Sequence, residues 1–157
     1  ELVGEGGGVM YRIVLQREGR LSNQDLAERV NLSPSPCLRR VRALEEAGVI
    51  RQYVALLDPR KVGLGLSAYV TVKLEKRGKM PVDQFTRAVQ SWPEVITCYS
   101  MTGDMDYLMR VQVENLAHYS RFIMDKLLKQ PGVIDIKSNF VLERVKETTA
   151  LPLEHLA

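Results

Sequence analysis

The stretch Ser22–Gly48 limits what this chain can be more than any other. It reads SNQDLAERVNLSPSPCLRRVRALEEAG. Ser22 has the hydroxyl of a helix N-cap, and Asp25 follows three residues on. Leu26, Ala27 and Val30 form one apolar side, and the small Ala27 lets a second helix cross closely. Asn31 tolerates the left-handed conformation that ends a helix. Ser33 opens the next helix with Pro34 at its first position, where a missing N–H costs nothing, and Pro36 still lies in the first turn. At about 100° per residue, Cys37, Leu38, Val41 and Leu44 share one face of that helix. Ser35, Arg39, Arg42 and Glu46 lie opposite, Arg40 sits on the flank, and Gly48 is the stop. Two short capped helices joined by a tight turn predict a helix-turn-helix, whose second helix projects its N-terminus and polar face. Taken alone, the three arginines read more simply as a solvated face paired with Glu45 and Glu46. The tandem of helices is what points them at DNA.

Charge does not decide the matter. The 157 residues carry a net charge of only +3. Residues 1–62 hold ten Arg/Lys against eight Asp/Glu, and residues 63–157 hold twelve against eleven. A nucleic-acid reading must rest on where the arginines sit. The length suits one ordinary domain or two small ones. No apolar run reaches the roughly 18–20 residues that span a bilayer. Gly4–Gly8 is acidic and glycine-rich, unlike a secretory signal. Cys37 and Cys98 have no ligand spacing and are expected as reduced, packed thiols in a cytosolic protein.

Along the chain, residues 1–8 are expected to be a flexible segment, since four of them are glycine. Met10–Glu18 predicts a short helix ending at Gly19, so the helix-turn-helix domain spans 9–50. Val49–Leu57 is apolar and β-branched up to the turn Asp58-Pro59 and predicts a strand; with Arg60–Gly65 it makes a strand and linker over 51–65. From residue 66 the pattern changes. Leu66–Glu75 alternates strictly and predicts a half-buried strand, and Lys76–Lys79 a solvated loop. Pro81–Trp92 predicts a helix with Val82, Phe85, Val89 and Trp92 inward. Val95–Met101 and Tyr107–Glu114 flank a turn and predict a hairpin. Asn115 caps a helix to about Lys129, with Leu116, Tyr119, Ile123 and Leu127 inward. Val133–Val145 predicts the last long strand, and Thr148–Leu153 a short edge piece. Strand, helix, strand, strand, helix, strand over 66–157 is a ferredoxin-like βαββαβ unit, so the fold class is α+β. Its helices cover one face of an antiparallel sheet. Tyr69, Thr71, Thr97, Tyr99 and Val141 are candidates for the bare face, which such units bury on a second copy.

These motifs together resemble the Lrp/AsnC, or feast/famine, family of transcription regulators. The residues that carry the resemblance are GRLSNQDLAERVNLSPSPCLRRVRALEEAGVI at 19–50, ALLDP at 55–59, TGDMDYLMRV at 102–111, PGV at 131–133 and VLERVK at 141–146. The resemblance covers about residues 15–153. It implies a (winged) helix-turn-helix domain, a second domain that senses amino acids and drives assembly, and a homodimer assembling to a tetramer or octamer on double-stranded DNA in the cytoplasm, associated with the nucleoid. It departs at the front: Gly6–Gly8 fall where members start an acidic helix, and Arg12 stands where an apolar residue is expected.

On that resemblance the recognition helix is Ser33–Ala47. Ser33 and Ser35 at its N-terminus suit phosphates. Arg39 and Arg42 suit guanine edges or phosphates in the major groove, and Arg40, Asn23 and Gln24 suit backbone contacts. The family's effector site implies that Asp104 or Asp106 pairs with an α-ammonium and that Gly103 and nearby N–H groups receive the α-carboxylate. Met101, Tyr107, Ser138 and Asn139 are expected to shape the rest. The plainer reading of Gly103-Asp104 is ordinary hairpin chemistry. No further cofactor is implied. No metal loop, nucleophile triad or catalytic pair is legible, and His118 and His155 read as surface residues. Some relatives on the same two-domain plan decarboxylate tetrapyrroles, so an enzyme of that kind is one alternative. A sensing and assembly protein without DNA binding is the other.

Overall fold

A computed structural model of the chain describes residues 6–76 and 80–156, with side chains from residue 9 onward. Two compact units result. One runs to Leu56 and takes back the chain from Lys146 onward; the other is Leu57–Val145.

The first unit has three helices, α1 (Gly6–Leu15), α2 (Asn23–Arg29) and α3 (Pro34–Glu46). The caps expected at Ser22, Asn31 and Gly48 form, while Ser33 holds the N-cap position without a side-chain cap bond. The Ser22 hydroxyl accepts from Asp25 N at 3.1 Å, Asn31 is left-handed at φ 55°, and Gly48 ends α3 at φ 72°. Tyr11, Leu15, Leu26, Ala27, Cys37 and Leu44 form the core, with Val14, Val30, Val41 and Ile50 against it. Leu38 lies outside that core, because the crossing of α2 selects the line Cys37–Val41–Leu44 and leaves the next residue round the helix at the rim. Two expectations fail here. Residues 6–8 of the flexible segment are already helical, and the helix they open ends at Leu15; residues 1–5 lie outside the described ones. Arg12 is buried on that helix. Val49–Leu57 forms no strand. Val54, Leu56 and Leu57 are largely exposed and meet no ladder partner among the described residues, and a strand exists only by pairing.

The second unit is a four-stranded antiparallel sheet in the order β2-β3-β1-β4, from β1 (Leu66–Leu74), β2 (Val95–Ser100), β3 (Tyr107–Val113) and β4 (Val133–Phe140). Helices α4 (Met80–Gln90) and α5 (Leu116–Phe122) supply its inner layer, and α5 runs on as a π-helical turn, Ile123–Leu127. Ala68, Val70, Val72 and Leu74 of β1 and Tyr107, Met109, Val111 and Val113 of β3 pack on Phe85, Val89, Trp92, Tyr119, Phe122 and Leu127. The aromatic rings meet edge-on or tilted, as Phe85–Tyr107 at 4.7 Å and Trp92–Phe122 at 5.7 Å. Val82 and Leu116 point outward instead. Each stands in its helix's first turn, before the helix comes down on the sheet. Gly132 (φ 85°) precedes β4 with Pro81 so close that a Cβ would lie 2.6 Å from Pro81 Cβ.

The C-terminal boundary also moves. β4 stops at Phe140, five residues short of the expected end, and Thr148–Leu153 is no edge strand. Residues from Lys146 onward belong to the first unit, so the sheet unit does not run to the terminus. The expected loop at 77–79 lies outside the described residues.

Candidate DNA-reading helix and effector hairpin

The expected recognition helix, α3, has the buried and exposed faces that its spacing predicts. Cys37 is fully buried, while Ser33, Ser35, Arg39 and Arg42 are exposed and Arg40 is half-buried. Burial pushes the Cys37 thiol up, which keeps it a neutral core group. Ser33 stands at the N-cap with extended geometry, yet its side chain makes no cap bond. Pro34 and Pro36 have no N–H and Cys37 N donates to Ser33 O, so the Ser33 hydroxyl and the Ser35 N–H are the donors left at the positive end of the helix dipole.

Two DNA-facing candidates on α2 differ. Gln24 is exposed. Asn23 spends a donor on the fold: its side-chain amide donates to Pro34 O at 2.8 Å, and Cys37 Sγ lies 3.8 Å from Asn23 O. Asn23 locks the turn between the helices.

A tyrosine that sequence reasoning passed over joins the chain beyond α3 to the helix itself. Tyr53 OH donates to Glu45 Oε1 at 2.9 Å. Burial and that carboxylate push its phenol up to about 12. Tyr53 also rims an open cleft of about 740 Å³ with Arg17, Gly19, Arg20 and Val54. None of the expected site residues lines it.

The effector candidates do not gather into one pocket. Gly103 is the left-handed residue of the β2–β3 turn at φ 103°, and Met101, Gly103 and Asp104 are exposed there. Asp106 is used internally: its carboxylate accepts from Leu74 N at 2.7 Å, its N–H donates to Val72 O, and its carbonyl accepts from Met101 N. Tyr107 is buried against Phe85. Ser138 pairs with Val70 in register, on the helix side of the sheet, and bonds Tyr119 OH. Asn139 pairs with Tyr69 and faces the other way. Strand alternation thus puts Ser138 and Asn139 on opposite faces. β1 stands between β3 and β4, so Tyr107 and Ser138 are also two strand spacings apart, about 4.8 Å each.

His118 is not the surface residue expected. Its Nδ1 accepts from Glu114 N at 3.2 Å and its Nε2 lies 3.8 Å from the Glu94 carboxylate, which Lys126 grips at 2.7 and 2.9 Å. Among the described residues, no group of three or more His, Cys, Asp or Glu is placed to hold a metal ion, and no helix is long and apolar enough to cross a membrane.

Comparison with known proteins bears on both halves. Residues 13–51 match a family model described as winged helix-turn-helix DNA-binding, and residues 67–151 match the Lrp/AsnC ligand binding domain. The chain is similar to the DNA-binding transcriptional activator DecR of Escherichia coli K12, with 43% identity over 141 residues, 90% of this chain and 93% of the relative. It is 39% identical to the leucine-responsive regulatory protein of Escherichia coli K12 over 140 residues, 89% of this chain and 85% of that one. Among solved structures it is similar to the transcriptional regulator NMB0573 of Neisseria meningitidis in complex with L-Met, with TM-score 0.95 and 46% identity over 98% of this chain and 99% of that chain.

Proposed function

The chain belongs to the Lrp/AsnC family of DNA-binding transcription regulators, and from that premise we propose that it reads DNA as a homodimer through α3 and answers to an amino-acid effector at the hairpin. The carrying observation is the exposure of Arg39 and Arg42 on the side of α3 turned away from Cys37 and Leu44. A two-fold dimer would set two such helices about one turn of DNA apart. Such a protein acts where the chromosome is, in the cytoplasm. Arg39→Ala and Arg42→Ala are each expected to weaken operator binding by about 1–3 kcal/mol where the arginine reads a base. Fluorescence anisotropy at matched salt is the test. Wild-type affinity in both variants would place the reading face elsewhere.

For the effector, the exposed groups Met101, Gly103 and Asp104 are the part of the expected site still free to meet a ligand. One chain presents few of them, which fits a site completed by a neighbouring copy. L-Met is the first probe, because the related Neisseria regulator is solved with it. The ligand acts by preferring one assembly state over another.

A further inference from the structure

The first turn of α3 lacks the device that usually holds a helix start. An N-cap side chain accepts from the N–H of the second or third helical residue. In α3 the third residue is Pro36, which has no N–H, and the first, Pro34, has none either. The N–H of the second, Ser35, is left unused by Ser33, whose hydroxyl makes no cap bond. α2 is the contrast. There Ser22 accepts from the N–H of Asp25, the third helical residue, at 3.1 Å.

What α3 lacks in itself it receives from α2. The Asn23 side-chain amide donates to Pro34 O at 2.8 Å. One turn further along α3, the Cys37 thiol lies 3.8 Å from Asn23 O and donates to it. Cys37 is fully buried, and burial keeps its thiol protonated, the form that donates. Asn23 is thus joined to the first turn of α3 twice, once through its side chain and once through its backbone. All of these atoms lie within the first compact unit. Arg39 and Arg42 follow on the same helix, so a tilt of its first turn against α2 moves both. Hydrogen bonds to base edges tolerate little such movement, because they weaken steeply with angle and distance.

We propose that Asn23 is a positioning residue that replaces the missing cap of α3 from α2, and that base discrimination by Arg39 and Arg42 depends on it although it touches no base. This rests on the DNA reading proposed above. The Ser33 hydroxyl is left unspent by the same arrangement.

The test uses the full chain with Asn23→Ala, Asn23→Asp and the double variant Asn23→Ala/Pro36→Gln. Asn23→Asp keeps the shape of the side chain and removes the donor. Pro36→Gln returns the third N–H to α3 and sets a capping-box residue three positions after Ser33. A duplex selected by the wild type from a random pool is remade with single base pairs changed, and affinities are read at matched salt. The wild type is expected to lose about tenfold or more at the most sensitive base pair. Asn23→Ala and Asn23→Asp are each expected to lose under about threefold there, and the double variant to regain most of the wild-type ratio. Exchange of the Cys37 amide, which donates to Ser33 O at 3.2 Å, is expected to be about fivefold or more faster in Asn23→Ala than in the wild type. An Asn23→Asp protein that discriminates as sharply as the wild type would overturn the proposal. So would an Asn23→Ala protein weakened equally on every duplex, the mark of a lost backbone contact. No gain from Pro36→Gln would overturn the capping role, since a residue that met DNA directly could not be replaced from inside α3. A wild type that selects no duplex overturns the DNA reading and the discrimination role with it, and the Cys37 exchange rate separates that outcome from a helix start that Asn23 does not hold.

Discussion

Asp104 and Asp106 stand two residues apart in one turn and have different work. Asp106 receives the Leu74 N–H at 2.7 Å where β1 runs past the hairpin. Removing the carboxylate leaves a partly buried donor unmatched, at a cost of about 1–3 kcal/mol. Asp106→Ala is therefore expected to lower the urea midpoint of the chain, and Asp104→Ala to leave it unchanged while reducing the thermal shift given by L-Met. An Asp106→Ala variant as stable as the wild type would remove the structural role assigned to it. From sequence alone the two were interchangeable, because turn composition says that a hairpin needs Gly and Asp but not which Asp faces inward. The same ambiguity surrounds Asn23. An amide at the head of α2 suits a phosphate and suits a neighbouring carbonyl equally well, and only the approach of Pro34 O decides. By contrast, the exposure of Ser35, Arg39 and Arg42 was legible, since helical period alone separates them from Cys37 and Leu44.

At the scale of elements, capping and periodicity foretold α2, α3, β1, the hairpin and the start of α5, because each is fixed by neighbours in sequence. What escaped was set by distant chain. Val49–Leu57 has strand composition but no partner strand among the described residues, and residues 146–156 have no pattern that announces α1. The π-helical turn after α5 was equally silent. There Lys126 reaches Glu94, ahead of β2, with both bonds under 3 Å. Burial pushes the Glu94 carboxyl up, but the Lys126 ammonium, with His118 adding to it, more than offsets that and leaves the carboxyl below its usual range. A carboxylate depressed on folding stabilises the native state above its unfolded value and ceases to as pH falls through the lower, folded value. Stability of the sheet unit is thus expected to decline with acid below the ordinary carboxylate range. Urea melts at several pH values test this: Glu94→Gln should be less stable near neutrality and show a flatter acid slope. An unchanged slope would mean that the pair contributes nothing to acid sensitivity.

For the whole molecule, the question is what covers the sheet. Both helices of the second unit lie on one face, and the other carries Tyr69, Thr71, Lys73, Thr97, Tyr99, Leu108 and Arg110 by register. Tyr99 is 57% exposed and Tyr69 42%. Val141, also expected on this face, lies beyond the end of β4 and is half-buried. An aromatic, four-stranded face suits a two-fold partner, since an isologous contact needs only a surface that matches itself. Two recognition helices can be presented together only if that contact, or another, joins two copies. Tyr99→Arg places a charge where the aromatic ring would be desolvated. Sedimentation at micromolar concentration is expected to show the variant as monomer and the wild type as dimer or larger. DNA affinity is then expected to fall by about 10²-fold or more, because the second reading head loses the effective concentration its partner supplied. Affinity for an isolated half-site should stay near the wild-type value, as Tyr99 lies outside the reading unit. A Tyr99→Arg protein that still sediments as a dimer would assign the assembly to a different surface and leave this face to some other partner.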